Sequence, residues 1–410
     1  MGNAGHFDRL VILGNGYSAQ LSALALSSLL SDTTVVGPDT VLATGPEELT
    51  GQYAHSHIFL PRMERELHNI DPRILESLAA LGHEFVPGSH RLSAGAPIEC
   101  RRMFATRWQF NMAIDSMFRQ RVTSTQVADM VRDMRVDQGR ISGLVLASGQ
   151  HFKVSPSTLV VDAMGTMSPL MKQLAKDCPD TINEPGGIAY ITQFFRLMDP
   201  LQTLCLPDPL IDCPHDFGNA NIMLYPAAEG WFSVSLAINV QHKKLMKQMR
   251  DPAQFLAFCK QSPNVAAWLN SAAAVGGNRI YINPRNQWNI PVFTRARPPQ
   301  NYIAVGDALT TMLPTLGANC SFVATHVRIL RDLVAMPTPD LHKAFAQSVH
   351  DEQFAFFQKA QIQGVHAGTF VPYAQSPQNR LSKRIKRRLR RIFGFDRARI
   401  QRHLLASSSL

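Results

Sequence analysis

Two short stretches of this 410-residue chain set up backbone that an ordinary connection does not need. The first, "GNGYSA" from Gly14 to Ala19, follows the apolar run "RLVIL" and opens a helical pattern of small and apolar residues. Gly14 permits a tight turn, Gly16 lets a pyrophosphate approach the backbone, and Ala19 lets strand and helix pack closely, with the phosphates at the helix N-terminus. A β-to-α turn without a ligand would use the same residues, so the spacing alone leaves both readings open. The second stretch, "IAVGDALTTMLPTLGANCSF" from Ile303, breaks an apolar strand at Gly306-Asp307 and passes Pro314 and Gly317 before turning helical. A bare carboxylate, a proline and a glycine between a buried strand and a buried helix point to a ligand.

The acid that ordinarily ends the second strand of such a unit, where it holds ribose hydroxyls, is missing. "TTVVGPD" at 33 to 39 places Gly37 there and Asp39 two residues on, so either Asp39 substitutes or ribose binding is weaker. His55 and His57 stand two apart on a strand-like segment; a hydrogen-bonded structural role suits His55, and the role of His57 stays open. No histidines gather with carboxylates at metal-ligand spacing. The six cysteines (Cys100, Cys178, Cys205, Cys213, Cys259, Cys320) lack CxxC spacing, which indicates neither a zinc site nor a disulfide framework.

The elements that must position these residues follow from pattern. At 45% hydrophobic and 18% charged, the chain is long enough for a large core and two interleaved domains. Strands at Leu10 to Leu13, 33 to 39, 158 to 165 and from Ile303 alternate with helical patterns, including "TRWQFNMAIDSMFRQRV" at 106 to 122 and one long helix near 340 to 362. The fold class expected is α/β: a Rossmann-like nucleotide-binding domain assembled from separate segments, with an inserted β-rich domain and a helical C-terminal region. The expected boundaries are 1–182 with a β insertion near 127–157, then 183–293, 294–362 and a basic tail at 363–410. No apolar run reaches the roughly 20 residues of a membrane-spanning helix, and no signal-peptide layout opens the chain, so a cytoplasmic protein is expected. The net charge of +10 resides at 380–402, where eleven basic residues face one acid and leave 30 of each sign elsewhere. A spread nucleic-acid-binding face is therefore unsupported.

In their shared order, "GNGYSA", "VVDAMGTMS" and "IAVGDALTTMLPTLGANCSF" resemble the FAD-dependent monooxygenases of the para-hydroxybenzoate hydroxylase type. The resemblance implies that Asp307, after Gly306, hydrogen-bonds the ribityl chain of FAD. It also implies that the Pro314 to Gly317 segment turns into a helix whose first amides, at Ala318 and Asn319, face the isoalloxazine. "GQYAHSHIFL" is similar to the P-Q-x-x-H-x-H-x-L-L segment of FAD-dependent epoxidases and hydroxylases of specialised metabolism, with Gln52, His55 and His57 at the family spacing. Arg107 matches a family arginine that approaches FAD, and the likeness runs from about residue 9 to 335. Two departures stand out: Gly37 for the acid, and Asn319 for a second glycine, which would tune or crowd the flavin. "NQWNIP" at 286–291 matches half of the W-x-W-x-I-P signature of flavin-dependent halogenases, with Asn286 for the first tryptophan, and is taken as coincidence.

The function this implies is hydroxylation or epoxidation of an apolar small molecule, with O₂ as co-substrate and a flavin C4a-hydroperoxide as oxidant. Electrons would come from NAD(P)H bound transiently, since no second GxGxxG is present, or from a separate flavin reductase. A reductase or cyclase of an isoprenoid or polyketide, and a degenerate flavoprotein-like scaffold, are the alternatives. The substrate cavity is expected in 183–240 with 278–293, walled by residues such as Tyr190, Phe194, Tyr225 and Trp231. In the tail, Leu381, Ile385, Leu389, Ile392 and Phe393 share one helical stripe among the basic residues, the pattern of a helix lying on an anionic membrane surface.

Overall fold

The structure, a computed structural model, describes residues 7–38, 54–90, 98–199, 211–212, 220–282, 285–312, 317–336 and 338–366. Its first strand, Arg9–Leu13, is buried from Leu10 onward and pairs in parallel with Asp32–Val36 on one side and Thr158–Asp162 on the other. Thr125–Val127 and Tyr302–Ala304 add to the two edges, so five strands drawn from three distant parts of the chain form one parallel sheet. Unbroken burial of Thr158–Asp162, with no exposed alternate position, is what a strand covered on both faces requires. The helix Tyr17–Leu26 packs against Arg107–Arg121 and Asn319–Ala335.

Because the strands are parallel, their carboxyl ends line one edge. The segments leaving that edge run, in order, Gly306-Asp307, Met164 to Met167, Gly14 to Gly16, Gly37-Pro38 and Ala128 to Met130. Between the third and fourth strands of the chain's parallel sheet, Val131–Asp137, Arg140–Leu146 and His151–Lys153 form an antiparallel meander.

A second, antiparallel sheet has Ile188–Leu197 flanked by Trp231–Asn239 and Ala272–Ile282, with Ala220–Pro226 and Ile211–Asp212 beyond. Alternation divides its faces. Ile191, Phe195, Ile222, Leu224, Val234 and Leu236 pack into a core with the helices that follow Trp231–Asn239. Tyr190, Met223 and Tyr225 turn the other way, onto Ile58 and Leu60. Beyond Trp231–Asn239 come two short helices, Pro252–Cys259 and Pro263–Asn270, with a strand from Ala272. Pro263 has no N–H to continue a helix from the preceding turn and instead opens the next one.

Trp288 of "NQWNIP" is 2% exposed and packs on Phe354 and Phe357, so this segment belongs to the core. The helices Pro61–Ile70, Asn319–Ala335 and Leu341–His366 are tied by a four-membered ion network. Glu66 meets Arg62 at 3.7 Å and Arg328 at 2.5 Å, and Glu352 meets the same two arginines at 2.9 and 2.6 Å. No helix among the described residues is long and apolar enough to cross a membrane. The basic segment 380–402 lies outside the described residues.

Candidate active site

A cleft of about 390 Å³ lies across the carboxyl edge of the parallel sheet and reaches the inner face of the second sheet. Of the residues singled out in the sequence, it brings together Gly14, Gly16, Arg107, Asp307, Gly317 and Asn319. Ala19 is buried behind the turn in the first helix, Gly306 forms the turn that presents Asp307, and Ala318 is the N-cap of Asn319–Ala335. Asp39, Gln52 and Pro314 lie outside the described residues.

The turn at Gly14 is tight enough to exclude a side chain. Its φ is +106°, and a Cβ there would stand 2.7 Å from the carbonyl oxygen of Ala163. Gly16 caps the first helix with no side-chain hydrogen bond, and Tyr17 and Ser18 continue the cleft lining. Ala318 likewise caps its helix without a side chain, and Asn319 and Cys320 line the cleft. Two helix N-termini without side-chain caps therefore meet one cavity, and both favour negative charge. Gly37 has its own steric reason: a Cβ there would lie 2.8 Å from the Gly14 carbonyl carbon and 3.0 Å from the Asn15 nitrogen. The backbones approach so closely that no acid fits at this strand end.

Gly306 turns at φ +65° against the hydroxyl of Ser18, with no room for a side chain between them. Its N–H donates to Nδ1 of His326 at 3.1 Å, which leaves the proton on Nε2 to donate to Gln353 Oε1 at 2.9 Å. Burial pushes the His326 pKa down to about 3, so this clamp is neutral. Asp307 follows, its carboxyl raised by burial and lowered by the nearby Arg107. Arg107 begins the helix Arg107–Arg121, whose N-cap Thr106 accepts from Gln109 N–H at 3.1 Å. The guanidinium lies 4.8 Å from the Tyr17 ring centroid and donates to Cys320 Sγ.

Asn319 does not project at the cavity as an unengaged side chain. Its amide donates to Met312 O at 3.0 Å and accepts from Met312 N–H at 3.2 Å, which closes the two ends of the segment between them. The departure from glycine thus serves the backbone of the loop.

His55 sits as expected of a structural histidine: its Nδ1 meets Thr192 Oγ1 at 2.6 Å, and that hydroxyl meets Ser235 Oγ at 2.6 Å. His57 Nδ1 lies 3.3 Å from the His55 carbonyl, which can only accept, so the proton is on Nδ1 and Nε2 is an acceptor. Burial lowers His55 to about 4; burial, then Arg107 and His55, lower His57 to about 3. Tyr281, pushed up to about 12 by burial and by Asp307, completes the junction between the two halves of the cleft. Tyr190 and Tyr225 line the cavity, whereas Phe194 packs with Ala54 and Trp108, and Trp231 stacks edge-on against Trp108. Sequence reasoning missed Ser18, in the first turn of the first helix, and Met223, Ser235 and Tyr281, for which strand alternation is the one available signal and does not say which face meets a cavity. No group of three or more metal-ligating side chains occurs among the described residues.

The depressed histidines make stability depend on pH. In the folded chain His55, His57 and His326 stay neutral well below their ordinary 6.5, while the unfolded chain takes up protons there. Stability is therefore lost as pH falls below 6.5, by about 1.4 kcal/mol per pH unit for each such histidine until its folded value is reached. Asp162 and Asp307, raised by burial, act in the opposite sense at lower pH, so a difference isolates one group. His55→Asn, which keeps a partner for Thr192, should flatten the urea-derived stability profile between pH 6 and 4.5 by about 1.4 kcal/mol per unit. Identical slopes in the two proteins would show that His55 titrates normally.

No family model matches this chain, and no curated protein matches it by sequence. Solved structures do match. The flavin-dependent brominase Bmp2 is 15% identical, with 98% of each chain covered and a TM-score of 0.61. 2-Methyl-3-hydroxypyridine-5-carboxylic acid oxygenase is 14% identical over 98% of this chain and 96% of its own, with a TM-score of 0.64. The OxyS anhydrotetracycline hydroxylase from Streptomyces rimosus is 14% identical over 98% of this chain and 76% of its own, also at 0.64. At such identities the likeness is one of fold, and the chain has the fold shared by these brominating, oxygenating and hydroxylating proteins.

Proposed function

We propose that this chain binds FAD along the carboxyl edge of its parallel sheet and acts as a monooxygenase that hydroxylates or epoxidises a largely apolar small molecule. The observation that carries the reading is a single cleft joining the Gly14–Gly16 turn and Asp307 to the aromatic face of the second sheet. The residues present fit the cofactor. Glycines that admit no Cβ at Gly14 and Gly306, two helix N-termini without side-chain caps, and a cleft-lining carboxylate suit a pyrophosphate, a polar ring edge and a polyol. Bound and reduced, FAD would supply activation of O₂ for transfer to the substrate.

Each side chain then has a task. The amides after Gly16 hold the pyrophosphate, and Asp307, presented by the His326 clamp, accepts from the ribityl hydroxyls. The amides after Ala318 favour negative charge on the flavin. Tyr190, Tyr225, Met223 and Tyr281 exclude water and orient an apolar substrate. Electrons come from NAD(P)H bound transiently or from a separate flavin reductase.

Three experiments test this reading. The purified chain should bind FAD and consume O₂ in a substrate-dependent manner, and Asp307→Ala should lower flavin occupancy at least about fivefold with cooperative unfolding retained. Unchanged occupancy would refute the role of Asp307. Gly37→Glu, which formally restores the ribose acid, should weaken FAD binding, because its Cβ meets the Gly14 backbone at 2.8 Å. Tighter binding would show that the strand end has room. For the tail, we propose contact with an anionic membrane: sedimentation with phosphatidylserine vesicles should fall sharply when 379–410 is deleted, at constant flavin content. Equal sedimentation with and without the tail would exclude it.

A further inference from the structure

One atom of His55 is left over by the structural role its Nδ1 plays. Its Nε2 is buried and has no hydrogen-bond partner among the described residues, although the imidazole stands in the wall of the cleft. The rest of the ring is occupied: Nδ1 meets Thr192 Oγ1 at 2.6 Å, and the rings of Tyr190 and Tyr281 stand edge-on with centroids 6.4 and 5.5 Å away. An unpaired nitrogen in a protein interior costs free energy that a partner entering from the cleft would recover.

The contact to Thr192 continues at 2.6 Å to Ser235, a second residue of the cleft wall. Thr192 is fully buried, and its hydroxyl has one proton to give, either to Ser235 Oγ or to His55 Nδ1. If it donates to Ser235, Nδ1 carries the ring proton, Nε2 is an acceptor, and the Ser235 hydroxyl is free to donate. If it donates to Nδ1, Ser235 donates to Thr192, Nε2 carries the ring proton, and Ser235 Oγ is free to accept. An arrangement in which both neighbours donate to Thr192 leaves its own buried proton without an acceptor. Burial holds the imidazole neutral near pH 7, so the ring carries one proton throughout. The two outer ends are therefore complementary in both arrangements: one donates while the other accepts.

We propose that His55, Thr192 and Ser235 form an invertible hydrogen-bond relay that positions a neutral ligand carrying one donor and one acceptor, a hydroxyl and a carbonyl on one rigid frame, on the second-sheet side of the cleft. This rests on the monooxygenase reading above for the ligand's being the substrate, and it narrows an apolar body to one bearing that pair. A ligand with two acceptors sets a lone pair against a lone pair at one end, and a hydrocarbon leaves both ends unpaired.

The test titrates the full-length chain, loaded with FAD, by calorimetry with three probes of similar size: meta-hydroxyacetophenone, meta-methoxyacetophenone and meta-ethylanisole. The first should bind about tenfold more tightly than the second. A plain apolar cavity gives the reverse order, with the ethylanisole tightest, because the polar probes lose more hydration. Thr192→Val keeps the shape and uncouples the two ends, so that each takes a donor or an acceptor independently. The preference for the hydroxyl over its methyl ether should then fall to within about twofold, while meta-ethylanisole stays within about twofold of its wild-type affinity and reports an intact cavity. Ser235→Ala, which removes one end, should abolish the same preference. No preference in the wild-type chain, a preference retained in both variants, or equal weakening of all three probes overturns the relay. Calorimetry does not read the flavin, so the two readings fail separately: the preference in a chain that retains no FAD overturns the cofactor reading alone, and an FAD-loaded chain without it overturns the relay alone.

Discussion

The site depends on how closely three stretches of backbone approach one another at the carboxyl edge of the parallel sheet. The turn after the first strand touches the end of the strand Thr158–Asp162 at Gly14 and the end of Asp32–Val36 at Gly37, with less than 3 Å available for any Cβ. Gly306, turning at positive φ, packs instead against the Ser18 side chain of the first helix. Peptide groups from distant parts of the chain are thereby brought around one cavity, where helix N-termini present their amides without side-chain caps. Any side chain at these glycines would separate the strands and dissolve the cleft before altering its chemistry.

Contacts this tight need fastening, and the chain supplies it with buried or half-buried polar groups that bridge one segment to the next. Asp162 draws together its own turn, Ser168 and Tyr302 of the neighbouring strand. His326 reaches from one helix to Gly306 and on to Gln353 of the next, and Asn319 closes its own loop on both faces of Met312. Each exchanges hydrogen bonds that an unpaired buried group would lose at a cost of about 1–3 kcal/mol. The Glu66, Arg62, Arg328 and Glu352 network holds the same helices from outside the cleft, where removal of one partner would leave buried charge uncompensated.

The cavity wall is electrically quiet apart from Asp307 and Arg107. His55, His57 and Tyr281 are held neutral near pH 7 by burial, so what they offer is shape and directed hydrogen bonds more than acid or base strength. That suits a site in which oxygen chemistry would belong to a cofactor and the protein would bind, orient and keep water out.

The sequence by itself determined the strand-turn-helix at Gly14, the return at Gly306-Asp307 and the division into parallel and antiparallel sheets, because local spacing of glycines and runs of buried apolar residues are properties of neighbours in the chain. It also marked Gly37 and Asn319 as departures, without a reason for either. Only the tertiary structure supplied those reasons: Gly37 is fixed by the Gly14 backbone 23 residues earlier in the chain, and Asn319 by a peptide seven residues before it. Tyr190 and Phe194 show the same limit within one strand. Both are aromatics spaced by an even number on a strand whose register with Trp231–Asn239 is unbroken, yet one lines the cavity and the other packs on Trp108, because the same face meets different neighbours along its length. Pattern tells a side chain which face it takes; what lies across that face is decided by segments brought there from elsewhere in the chain.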